Sequence, residues 1–195
     1  MRCHYGYFPA SGQSHGDWAG VTNPQFAWME GWAGSMQGVV QGGDTSYDDR
    51  NSDGTTFQHY NTEDNYPGDN VEGGVGSLLW DIYDSTNETG DNIALGSGPV
   101  FDAFGRPVAN TASGSVGAYA DTIHEVWDNF IASGKTCSQL WQVFNFHGIH
   151  KDDQKPTSRV NGLAATQSST SFQVTWAGSD ACSGVKYVIE ARKVP

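Results

Sequence analysis

In four stretches of the first 150 residues apolar residues recur every three or four positions, and after residue 158 they recur every second position, so the chain must change from helical to extended structure partway along. In residues 25–41, Phe26, Met29, Trp32, Ala33, Met36, Val39 and Val40 mark one face of a helix, stopped by Gly42 and Gly43. Residues 69–84 repeat the pattern with Val71, Val75, Leu78, Leu79, Ile82 and Tyr83, behind an Asp or Asn cap. Gly73, Gly74 and Gly76 each cost such a helix roughly 1 kcal/mol relative to alanine, which makes sense where a neighbouring backbone packs closely. Third and fourth helices are predicted over residues 115–133 and 138–146, the last ending at His147 and Gly148. Residues 44–68 and 85–114 read as long connections, the first acidic and turn-rich, the second carrying an Asn-Glu-Thr sequon at Asn87.

The predicted class is therefore α+β: a mostly helical domain with long loops over residues 1–150, a polar linker over 151–158, and short strands over 159–195. Ten Lys and Arg stand against 22 Asp and Glu, and the net charge of −12 repels phosphate backbones and anionic lipid, so nucleic acid is not an expected partner. No apolar run reaches the ~20 residues of a membrane span. The N-terminus lacks the apolar centre of a signal peptide, although low lysine and abundant Gly, Asn, Thr and Trp suit a secreted protein. Cys3, Cys137 and Cys182 allow at most one internal disulfide.

One stretch carries the strongest chemical signal. "AWMEGWAG", residues 27–34, places Glu30 among small and aromatic side chains with no basic residue nearby. With "NVEGGVGSLLWDIYDS" and "LWQVFNFHGI" downstream, it resembles the gluzincin-like zinc metallopeptidases secreted by bacteria, over roughly residues 4–150. In that family a His-Glu-x-x-His helix precedes an A-W-x-E-G-W-A helix. The resemblance implies that Glu30 is the third ligand of a zinc ion whose bound water attacks a peptide bond, with the glutamate between the two histidines as general base. Gly31 and Ala33 would leave room beside the metal, Trp28 and Trp32 would wall the site, and Trp80 and Asp81 would support the core. Glu72 and Asp84 read as members of a solvated acidic face.

The chain departs from that family in holding no His-Glu-x-x-His. His4 has Phe8 at the fourth position, and His124-Glu125 has Asp128 there. The expectation is thus a piece of a longer metallopeptidase-like protein, inactive by itself, acting on peptide or protein substrates when whole. His4 and His15 could rebuild a site with Glu30 only if the entry loop folds over the helix. A second cation candidate lies at residues 48–54, where Asp49, Asn51 and Asp53 with Gly54 match the first half of a calcium loop; position twelve is Tyr60, with Glu63 the nearest carboxylate.

The tail resembles the opening strands of a fibronectin type III or immunoglobulin-like module, a fold that needs about seven strands, so residues 159–195 form only a partial β-sandwich. Trp176, Val174 and Phe172 are its expected core residues. Two noncatalytic readings stand beside the peptidase: an extracellular binding or adhesion protein, and a calcium-stabilised structural domain.

Overall fold

A computed structural model describes residues 18–41, 46–50, 53, 56–63, 66–86, 89–105, 120–149, 151, 155–161 and 173–182. The chain divides into two units, Met1–Lys151 and Asp152–Pro195. Among the described residues of the first, five helices follow one another: α1 (Pro24–Val40), α2 (Glu72–Tyr83), α3 (Ser97–Gly105), α4 (Ile123–Ala132) and α5 (Cys137–Phe146). An antiparallel hairpin of β1 (Ser46–Arg50) and β2 (Thr56–Asn61) stands between α1 and α2. The second unit contains β3 (Thr157–Val160) paired antiparallel with β4 (Trp176–Ser179).

The centre of the first unit is α2, whose residues from Glu72 to Ile82 are all buried. A helix covered on every side needs neighbours at close range, and the glycines supply the space. A methyl group on Gly76 would lie 2.5 Å from the Trp18 ring, and one on Gly73 would lie 2.6 Å from Trp18 and Tyr66. On the facing helix, a methyl on Gly31 would sit 2.5 Å from the Glu72 carbonyl and 2.9 Å from the Gly76 nitrogen. Thus α1 and α2 meet at Gly31 and Gly76 with no side chain between them. The expectation that the α2 glycines admit close neighbours is met.

Local signals account for most helix ends. Asn23 caps α1 by accepting from the Phe26 amide at 2.8 Å, with Pro24 at the first helical position. Thr122 caps α4, and Thr136 with Gln139 forms a reciprocal capping box on α5. The expected Asp or Asn cap of α2 is absent: Val71 occupies that position, and the Gly73 amide instead donates to the Trp18 carbonyl at 2.8 Å. Here a tertiary partner replaces the side-chain cap. Beside it, Thr22 donates its amide to the Asn70 carbonyl at 2.7 Å, and Val21 bridges Val71.

Four sequence expectations change. The stretch 44–68 contains the β1–β2 hairpin, which periodicity missed because its sequence does not alternate apolar and polar residues. Within the second long connection α3 forms, with Val100, Ala103 and Phe104 buried. Nine residues hold too few turns for a helical period to stand out from a Gly-rich background. The third helix starts at Ile123; residues 106–119 lie outside the described set, as do Gly42, Gly43 and the last predicted strand. In the second unit, Val174 and Trp176 are each 38% exposed rather than core, and every residue of β3 and β4 is exposed. Among the described residues no second sheet covers the hairpin, so its alternating apolar residues find no layer to bury them. Phe172 is outside the described residues.

The Gly31 contact generates a direct test. Gly31→Ala drives a methyl into backbone atoms and should destabilise the domain by roughly 1–3 kcal/mol in chemical denaturation. Gly98→Ala in α3, where nothing lies within 4 Å, should be neutral or stabilising by up to about 1 kcal/mol.

Candidate functional site

Glu30 lies in the first half of α1, half-exposed, next to the buried Gly31 that fixes the helix against α2. Its backbone position is therefore set by a contact one residue away. Trp28 is buried, donates its indole N–H to the Ala120 carbonyl at 3.1 Å, and stands edge-on to Phe104 with ring centres 5.1 Å apart. Trp32 meets the same Phe104 at 6.1 Å. Residues two apart on a helix lie about 200° around its axis from each other, so both tryptophans are on the far side from Glu30. They pack α1 onto α3, which corrects the expectation that they wall the carboxylate.

His4, His15 and Asn51 lie outside the described residues. Asp49 is a strand residue in β1, opposite Gln58, and Asp53 is exposed in the turn that follows. That places the half-match to a calcium loop on a β-hairpin, not between two helices. Glu63, the nearest replacement for the loop's final glutamate, accepts the Trp80 indole N–H at 2.8 Å. Among the described residues, no group of three or more His, Cys, Asp or Glu side chains could hold a metal ion.

Polar chemistry concentrates in places periodicity did not mark. Asp81 and His147 form a buried pair, Oδ2 to Nε2 at 2.8 Å, with side chains 8% and 2% exposed. This joins the end of α2 to the C-terminal cap of α5, and the His147 carbonyl also accepts the Gly68 amide at 2.9 Å. Asp81 does support the core, whereas Glu72, expected on a solvated face, is 1% exposed because α2 has no solvated face. A second imidazole–carboxylate pair, His124 Nε2 to Asp69 Oδ2 at 2.9 Å, is partly open to solvent. In both histidines Nδ1 is buried without a hydrogen-bond partner.

The sequence did hold a signal for the first pair. Asp81 stands between Trp80 and Ile82 in an otherwise largely apolar segment, where a carboxylate that becomes buried must meet a partner, and His147 stands just before a glycine that closes the last helix. Nothing in the spacing of Asp69 and His124, 55 residues apart, announces theirs.

At the start of α4, Glu125 is pushed up from 4.5 to about 7, first by burial and then by its side-chain hydrogen bond to Asp121; backbone N–H groups of Asp121 and Thr122 oppose the shift. A hollow of about 260 Å³ on the β3–β4 hairpin is lined by Thr157, Ser158, Arg159, Ala177, Gly178 and Ser179 and holds none of the candidate residues. Cys137 and Cys182 are both disulfide-bonded.

A family model described as the Mycolysin C-terminal domain matches residues 2–123, which takes in α1, β1, β2, α2 and α3 and ends at the first residue of α4. No curated protein and no solved structure matches the chain.

The two histidine pairs should respond differently to truncation. His147→Ala leaves a buried carboxylate without its partner and should cost roughly 3–5 kcal/mol, whereas His124→Ala removes a partly exposed pair and should cost roughly 0.2–1 kcal/mol. Urea titrations of both variants against the unaltered chain check the contrast.

Proposed function

The chain belongs to the Mycolysin C-terminal domain family, which ties it to metallopeptidase-like proteins, and on that premise we propose that it is the glutamate-bearing part of a secreted zinc-dependent peptidase, with Glu30 as the third zinc ligand. The observation that carries this reading is the placement of Glu30: a half-exposed carboxylate on a helix locked to its neighbour at the adjacent residue, Gly31. Ligands held on rigid elements keep their geometry better than ligands on loops.

Zinc, when bound, supplies an acidified water and a Lewis acid for the peptide carbonyl. The chain's own part is to hold one carboxylate in place. With no His-Glu-x-x-His in its 195 residues, the two histidine ligands and the general base come from another stretch of polypeptide, and the chain alone does not hydrolyse peptides. The substrate class is peptide or protein. Secretion agrees with the family, with the net charge of −12 and with cysteines held in disulfide form. The β3–β4 hairpin is then part of an appended fibronectin-type spacer. No described helix is long and apolar enough to cross a membrane.

Two measurements test the proposal. The gene should encode an in-frame His-Glu-x-x-His shortly upstream of the codon for Met1; its absence overturns the reading. Metal analysis of the purified chain should find well under one zinc per molecule, and tight one-to-one zinc that disappears in Glu30→Ala would show instead that a whole site resides within these residues.

A further inference from the structure

We propose that one face of the β3–β4 hairpin binds a carboxylate-bearing sugar, a uronate unit of an acidic polysaccharide, through the Arg159 guanidinium and the hydroxyl and amide groups around it. Strand pairing sets the two faces. Thr157 lies opposite Ser179 and Arg159 opposite Ala177, and the Asn161 amide donates to the Thr175 carbonyl at 2.8 Å, so by alternation these six residues share one face. Val160 and Trp176, also directly opposite each other, take the other face.

Arg159 stands at the centre of the polar face, with only a methyl group across from it. On one side the Thr157 and Ser179 hydroxyls are bonded at 2.9 Å; on the other the Asn161 carboxamide donates to the Thr175 hydroxyl at 2.9 Å. These cross-strand bonds hold the flanks in place. Between them the small Ala177 leaves open the hollow of about 260 Å³ that the guanidinium borders. Arg159 is exposed and, among the described residues, has no carboxylate or hydrogen-bond partner. Lys155, two residues before Thr157, is exposed as well. Asp180, which follows β4, is engaged by the Cys182 amide at 2.7 Å.

Charge favours an anion here although it disfavours one elsewhere. Residues 152–195 carry five of the ten Lys and Arg and only four of the 22 Asp and Glu, a net charge of +1 within a chain of −12. The repulsion of polyanions thus belongs to the first unit and not to the second. A guanidinium presents a planar fork that matches a carboxylate with two parallel hydrogen bonds. The rest of the lining is Thr, Ser, Ala and Gly, which meets ring hydroxyls and offers no apolar pocket for a peptide side chain. The inference rests on the second unit alone and is independent of zinc and of Glu30.

The test titrates the full chain with sodium glucuronate, glucose, acetate and inorganic phosphate, read by calorimetry and by amide chemical shifts. Glucuronate should shift the amides of residues 157–161 and 175–179 and bind roughly tenfold or more tighter than glucose or acetate. Its affinity should fall as salt rises from about 50 to about 300 mM. Arg159→Gln and Arg159→Lys should each lose roughly tenfold or more, the second because an ammonium keeps the charge without the fork. Ala177→Leu, which fills the hollow and alters no charge, should lose binding as well. Acetate that binds as tightly as glucuronate reveals a bare carboxylate site and overturns the sugar; phosphate that binds more tightly assigns the face to phosphate-bearing polymers and overturns the class. Absence of shifts at these residues, or an affinity that the folded Arg159→Gln variant retains, overturns the site itself. Zinc content, on which the peptidase reading turns, is measured separately, so either reading can fail without the other.

Discussion

Close approach of backbones around α2 is the contact on which the rest of the first unit depends. A helix buried along its whole length can exist only if neighbours reach it on every side, and three of its first five residues are glycines that let them. Trp18 lies against Gly73 and Gly76, and α1 meets Gly76 through its own Gly31. The same contact that makes a core fixes the height and rotation of α1, and with them the place of Glu30. Packing and candidate chemistry are here one residue apart.

Placing polar groups in such a core sets further requirements. Asp81 is tolerable inside α2 because His147 reaches it from the end of α5, and that bond, with the Gly68 amide on the His147 carbonyl, closes the core at the far end of the helix. At the opening of α4 the Asp121 amide donates to the Glu125 carboxyl, and the Trp28 indole donates to the Ala120 carbonyl beside it. The Asp81–His147 pair thus marks a joint between two helices. The partly open Asp69–His124 pair belongs to the same pattern, since it connects the approach to α2 with the first turn of α4.

Much of this was legible in the amino-acid order. The period of three and four placed α1 within one residue of its bounds, and α2 and α5 appeared where apolar spacing put them, while α4 starts eight residues later than the spacing suggested. The α2 glycines pointed to close packing. What escaped were elements without periodicity: the polar β1–β2 hairpin and the nine-residue α3. Glu72 of α2 was misassigned for a related reason. A helical wheel separates apolar from polar residues, but it does not show that both faces of this helix are covered.

The sequence alone determined the longer helices α1 and α2, the caps at Asn23, Thr122 and Thr136, the switch to extended structure in the tail, and a glutamate set in a small-and-aromatic context at position 30, because each of these depends on residues within a few positions of one another. Tertiary structure decided what each side chain meets. It turned Trp28 and Trp32 toward Phe104 and away from Glu30, buried Glu72, and brought Asp81 to His147 across 66 residues and Asp69 to His124 across 55. Long-range pairs arise from the way helices pack, and packing is a property of surfaces that exist only once the helices have formed.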